Sequence, residues 1–196
     1  APEAAKIQQW KRPKHPPTVL VFDTETTGLG GEAIQLAYIR FDNNGQAQET
    51  YNRFLQLRPG MRIQWAAQRV HKITPSRLRQ DGVPPGPAMQ TFIALCHGIR
   101  SDGGRVIAHN AAFDVGVVNR TAAANHVDGN MKTADVFCTQ QRSRAWVARK
   151  GLRGKGGRKK AAKNSELFEL LHARPAPGQL HDALADVRVT AMNYFS

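Results

Sequence analysis

The chain has 196 residues, 41% of them hydrophobic, with 28 Lys and Arg against 15 Asp and Glu and a formal net charge of +13. That length and apolar content fit one folded domain and exclude a disordered chain. No apolar run reaches the roughly 18 residues a membrane-spanning helix needs, and the first seventeen residues lack the apolar stretch of a secretory leader.

Residues 1–17 read as an extended tail, because Pro13, Pro16 and Pro17 forbid a helix there. Thr18 to Phe22 is a short β-branched and apolar run of the kind found in central, buried strands. Ile34 to Phe41 reads as a second strand. Asn43-Asn44-Gly45 is a hairpin turn, and Gln48 to Leu57 is the returning strand. Ile63 to Ile73 reads as a short helix, Asp81 to Pro87 as a Pro- and Gly-rich loop, and Ala88 to Ile99 as a helix with apolar spacing. After the turn Asp102-Gly103-Gly104 come a strand, Arg105 to Ala108, and a helix, Ala111 to Ala124. Asn164 to His172 is a short helix, Pro175 to Gly178 a loop, and about Asp182 to Tyr194 a last helix. This order predicts an α/β architecture, a mixed sheet flanked by helices.

Eight basic residues fall between 149 and 163, with no acid among them: Arg149, Lys150, Arg153, Lys155, Arg158, Lys159, Lys160 and Lys163. The stretch is glycine-rich and has no apolar face, so 151–162 reads as a flexible insert. Its charge fits a polyanionic partner, a localisation signal or a plain solvated loop. The two cysteines, Cys96 and Cys138, read as buried free thiols, in keeping with a reducing, intracellular setting.

The acids carry more information. Asp23 and Glu25 stand directly after the first strand, in Asp23-Thr24-Glu25-Thr26-Thr27-Gly28. Residues i and i+2 of an extended segment point to one side. Two such carboxylates repel each other and resist desolvation unless a cation neutralises them, although a solvated strand end has the same pattern. Thr26, Thr27 and Gly28 offer hydroxyls and a close backbone approach to a nucleotide's terminal hydroxyl. Asp114, in His109-Asn110-Ala111-Ala112-Phe113-Asp114, follows a strand-to-helix junction and reads either as a first-turn helix acid or as a ligand. Asp186 sits among small apolar neighbours, an odd place for a charge without a partner. His181, just before the last helix, can reach the same region from its loop, and histidine is the residue type suited to serve as a general base. Asp182 is explained as a helix N-terminal acid. Four carboxylates and a histidine, each tied to a strand end or a helix, are the set that two hard divalent ions need for phosphodiester hydrolysis.

With those residues in place, the sequence resembles the DEDDh branch of the DnaQ-like exonucleases, above all the proofreading exonucleases of bacterial replicative polymerases. Asp23-x-Glu25-Thr-Thr-Gly is similar to the first motif of that family, His109-Asn110-x-x-Phe113-Asp114 to the second, and His181-x4-Asp186 to the third. The resemblance runs from about Thr18 to Phe195. It implies an RNase H-like fold with a five-stranded mixed sheet. It also implies two Mg²⁺ or Mn²⁺ ions on Asp23, Glu25, Asp114 and Asp186, with His181 as the base. Val70-His71-Lys72-Ile73 resembles the family's Val-His-Gly-Ile stretch, whose histidine approaches the terminal nucleotide. Leu29 stands where relatives place an apolar side chain against the terminal base. On this reading Thr26, Thr27, Gly28, Leu29, His71, Asn110 and Phe113 contact substrate. The expected partners are single-stranded or frayed 3′ ends of DNA and a polymerase or repair factor. RNA trimming by the same site is the alternative, and a nuclease fold reduced to a binding module is a third, against which the intact acids argue. Three features depart from the family: Lys72 for glycine, Gln35 where many relatives have Glu, and the basic Gly-rich stretch before Asn164-Ser165, which is longer and more charged than in the proofreading exonucleases and is read as a clamp on the strand behind the site.

Overall fold

The computed structural model describes residues 16–178 and 181–196, so all but Pro16 and Pro17 of the expected tail lie outside the described residues. β1 (Thr18–Thr26), β2 (Ala33–Asp42) and β3 (Ala47–Phe54) form an antiparallel meander, turned at Asn43–Gly45. β4 (Arg105–Ala108) and β5 (Val136–Cys138) add to the other side of β1 in parallel, giving the order β3-β2-β1-β4-β5. This is the expected five-stranded mixed sheet, with β1 at its centre. Among the described residues, seven helices surround it: α1 (Trp65–His71), α2 (Pro75–Asp81), α3 (Pro85–Ser101), α4 (Ala111–Ala124), α5 (Thr139–Arg149), α6 (Asn164–His172) and α7 (Ala183–Phe195).

The pleat of β1 sorts its side chains between two cores. Leu20 and Phe22 face α3 and α4, where Phe92, Ile93, Val115 and Val118 pack on them. Val19 and Val21 face α7, against Ala183, Val187 and Ala191. Those three α7 residues recur every four positions, so they form one helical stripe. α4 has an equivalent stripe in Ala111, Val115, Val118 and Ala122.

Several expected boundaries move. β1 continues through Thr26, so Asp23 and Glu25 lie inside the strand and not after it. The single helix expected over 63–73 is α1, and a second short helix, α2, follows with Pro75 at its start and Thr74 capping Arg77 N–H. The expected loop at 81–87 is shorter, because Pro85 opens α3; proline is tolerated in a first helical turn, where its missing N–H has no partner to lose. The 151–162 stretch is not an unstructured insert. A bridge pairs Arg153 with Lys159 across a tight turn at Lys155–Gly157. Cys96 is buried, but Cys138 is only half-buried; both are free thiols. Among the described residues, no helix is long and apolar enough to cross a membrane.

Lys72 ends α1 with φ 61°, and its N–H bonds the Gln68 carbonyl. That is a left-handed helix terminus, the position at which a glycine bears no steric penalty. The residue that departs from the family pattern is thus accommodated at a backbone cost.

Candidate active site

The alternation that builds the core also builds the site. Asp23 and Glu25 continue the face of β1 that carries Val19 and Val21, and so look toward α7. Asp186 lies in the first turn of α7, one position from the core residue Val187. Carboxylate oxygens of Asp23, Glu25 and Asp186 all lie within 4.8 Å of one another. Thr24, between the two acids, points to the opposite face and meets α4. Its N–H and hydroxyl donate to Asp114 Oδ1 at 3.2 and 2.9 Å. Asp114 falls on the buried stripe of α4 and is 3% exposed. It stands beside the cluster of three rather than within it, and lines the same open cleft of about 560 Å³.

Electrostatics show that these acids are too close for comfort as a metal-free set. Burial, then the charges of Asp114, Asp186 and Glu25, push the Asp23 carboxyl well above the usual carboxylate range. Burial followed by Asp186 and Asp114 raises Glu25 to about 8. Asp114 is raised by burial to about 7, despite the two Thr24 hydrogen bonds that favour its charged form. A carboxylate cluster in this state is short of positive charge. Hard oxygen donors at this spacing suit a divalent cation such as Mg²⁺ or Mn²⁺.

The cleft also receives His181, Asn110 and Phe113. His181 is exposed, holds φ 70°, and donates its backbone N–H to Asp186 Oδ2 at 2.9 Å. Asn110 precedes α4 and is exposed, and its side chain makes no capping bond. The loop after β1 flanks the cleft instead of lining it. Thr26 Oγ1 bonds both the N–H and the carbonyl of Gly28, and Thr27 Oγ1 accepts from Glu32 N–H. The hydroxyls expected to grip a nucleotide are therefore engaged in shaping the loop. Gly28 has φ 143°, a conformation that favours glycine, and a Cβ there would fall 2.2 Å from the Gln64 side chain, which would have to move aside. Leu29 projects from it, 85% exposed. His71 is buried; its Nδ1 accepts Ile73 N–H, and Nε2 faces the Thr26 carbonyl without a hydrogen bond of normal geometry. Burial and the nearby His181 lower its pKa. Of the basic stretch, Lys163 lines the cleft and the rest lie outside it.

Five cleft residues escaped the sequence reading: Thr24, His109, Gln140, Asn164 and Ser165. Asn164 Nδ2 donates to the Asp186 carbonyl at 3.0 Å, to Asp186 Oδ1 at 3.3 Å and to Thr190 Oγ1 at 2.9 Å, while Asn193 holds Asn164 in turn. His109 bonds Thr139 Oγ1 and the Ala162 carbonyl, each at 2.9 Å. For His109 and Thr24 a signal was present, since both sit inside the acidic motifs; for Asn164 there was none locally. The structure also explains Gln35. Its amide donates to Asp182 Oδ1 at 2.8 Å and its Oε1 accepts Ala183 N–H, tying β2 to the start of α7. A glutamate there would set one more carboxylate against Asp182.

The chain resembles known proteins in sequence and in fold. It is 35% identical over 108 residues to a DNA polymerase III subunit epsilon-like protein of Rhodobacter capsulatus, an overlap of 53% of this chain and 14% of that one. It is 30% identical over 111 residues to DNA polymerase III PolC-type of Lactococcus lactis, covering 55% of this chain and 6% of the relative. The matched region is thus a small part of each. E. coli exonuclease I, solved in complex with a dT13 oligonucleotide, shares the fold with a TM-score of 0.73 at 20% identity, over 89% of this chain and 39% of that one. The RNase T exonuclease family matches residues 20–194, and with this span, this fold and these acids the chain belongs to that family.

Proposed function

We propose that the chain removes nucleotides one at a time from the 3′ end of DNA, releasing nucleoside 5′-monophosphates. Asp23, Glu25, Asp114 and Asp186 would hold two Mg²⁺ or Mn²⁺ ions, and His181 would act as general base. The observation that carries this reading is the convergence of Asp23, Glu25 and Asp186 within 4.8 Å, with Asp114 alongside. Two divalent ions bound there supply charge that favours ionisation of the attacking water and offsets charge on the departing 3′ oxygen.

The protein's own groups divide the remaining work. His181, at the cleft edge beside Asp186, takes the proton as water attacks phosphorus and the P–O3′ bond breaks; solvent protonates the released 3′ oxygen. Asn164 and the His181 N–H fix the two oxygens of Asp186, and Thr24 fixes Asp114. Such bonds keep the acids pre-organised for cations. Asn110 and Phe113 would meet the terminal nucleotide from one wall. Leu29 would meet its base from the loop held by Thr26, Thr27 and Gly28, with His71 beneath. DNA as substrate, and a polymerase or repair protein as partner, are favoured by the polymerase III relatives.

The test is digestion of a 5′-labelled single-stranded DNA oligonucleotide and of the RNA of the same sequence. A one-nucleotide ladder with Mg²⁺ or Mn²⁺, abolished by a chelator and by Asp114→Asn with binding retained, is the expected result. Faster digestion of the RNA would move the substrate to RNA. Equal residual activity in the parent and Asp114→Asn would leave only a binding module.

A further inference from the structure

Eight like charges in fifteen residues need a reason, and the fold gives them unequal surroundings. Lys160 pairs with Glu166, Arg153 Nη1 donates to the Ala148 carbonyl, and Lys150 lies 5.6 Å from the Trp146 ring. Those three serve the local structure. Arg149, Lys155, Arg158 and Lys159 are exposed, and among the described residues no ion pair joins them to an acid.

The segment that carries them is shaped and anchored. Gly154 N–H bonds the Arg158 carbonyl at 2.9 Å, and Gly156 and Gly157 turn the tip with φ 66° and 74°. At the returning end Ala162 is fully buried and packs with Val147 and Leu167. Its carbonyl accepts from His109 Nε2 at 2.9 Å and from Gln140 Nε2 at 3.1 Å, and the next residue, Lys163, is exposed and lines the cleft. A basic hairpin is thereby fastened, through His109, to the wall that holds the acids. A solvated loop or a localisation signal requires no such fastening.

We propose that Arg149–Lys163 is a fixed basic arm that carries the single-stranded nucleic acid entering the cleft, with Arg149, Lys155, Arg158 and Lys159 on its phosphates. The proposal rests on the nuclease reading and adds where the rest of the substrate lies. Leu152, the large apolar residue of the arm, packs inward with Val147 and Leu167, so the arm offers charge and no stacking surface. It reads the backbone and not the bases, and its grip is independent of sequence. His109 is a positioning residue for the arm.

Deleting the arm would also strip Ala162 and Leu152 from their apolar cluster, so charge removal is the cleaner test. The variant is R149A/K155A/R158A/K159A, and the probe is a fluorescein-labelled 20-nucleotide DNA strand, read by anisotropy in chelator between 50 and 200 mM KCl. With about 0.7 released counterions per neutralised phosphate of a single strand, the slope of log affinity against log salt should become shallower by about 2 to 3. Affinity at the lowest salt should fall at least tenfold. The unfolding midpoint should stay within about 2 °C of the parent, as for other exposed substitutions. Parental affinity and slope in a folded variant would overturn the arm. Digestion of the same strand by the parent chain with Mn²⁺ tests the nuclease reading separately: no digestion, with the salt-dependent loss of binding intact, sinks the nuclease and supports the arm.

Discussion

The acids at the end of β1 and the bases of the 149–163 arm are both clusters of like charge, and the fold treats them in opposite ways. The acids come from β1, α4 and α7, are wholly or partly buried, and are held by hydrogen bonds from Thr24, Asn164 and the His181 backbone. The bases come from one continuous stretch and stand in solvent. Repulsion between exposed charges is screened over about 8–10 Å at ordinary salt, whereas repulsion between buried ones is not. The acid cluster therefore raises its own pKa values, while the arm bears its charges at little cost. A rigid, buried, over-charged site selects small cations by geometry; an exposed, loosely spaced one attracts any polyanion.

The sharpest break between the two regions comes from neutralising an acid. Asp23→Asn, Glu25→Gln or Asp114→Asn should lower kcat by about three orders of magnitude or more, as expected when a group of a cooperating set is lost. The same variants should melt at or above the parental temperature in chelator, because each removes a buried charge from a repelling cluster. An acid variant that lost both activity and stability would place these groups among ordinary structural carboxylates.

Next in size is His181→Ala, with an expected fall in kcat of about 10²- to 10³-fold and little change in KM, since a general base acts in the transition state. A change in KM alone would remove the role.

Stability against pH separates the clusters without any substrate. Asp23, Glu25 and Asp114 have folded-state pKa values above those of the unfolded chain, so folding takes up protons between about pH 4 and 8. In chelator these groups should make the melting temperature fall as pH rises through that window. Added Mg²⁺ should raise the midpoint more at pH 8.5 than at pH 5.5, because the ion binds the ionised form. A Mg²⁺ effect independent of pH would contradict the account.

Asn164→Ala is the smallest effect expected. Loss of a group that orients a ligand costs roughly 10-fold or more in metal affinity, which a Mn²⁺ titration would measure. Unchanged affinity would leave Asn164 as a packing residue between α6 and α7.

How far the sequence foretold this depends on the range of the forces involved. The β1–β3 meander was legible because apolar β-branched runs and Asn-Gly are local signals. β5 has only three residues, too few to show a period. α5 buries only Thr139 and Val147 and so has no apolar stripe to find. α2 was hidden by Pro75, which reads as a stop but serves as a start. The site was legible in its motifs, but Asp114 alone looked like a helix N-terminal acid. Its place on the stripe of Ala111, Val115 and Val118 marks it as buried. Gln35 and Asn164 act across sequence separations of 147 and 22 residues, which no local pattern records.

The central claim is that acids from distant parts of the chain jointly hold divalent cations at a scissile phosphate. Its most direct test is anomalous diffraction from a crystal soaked with Mn²⁺ and a nucleoside 5′-monophosphate. The account predicts two manganese peaks bounded by Asp23, Glu25, Asp114 and Asp186, with the phosphate between them and His181 at its edge. Manganese bound elsewhere, with these four carboxylates bare, would contradict it.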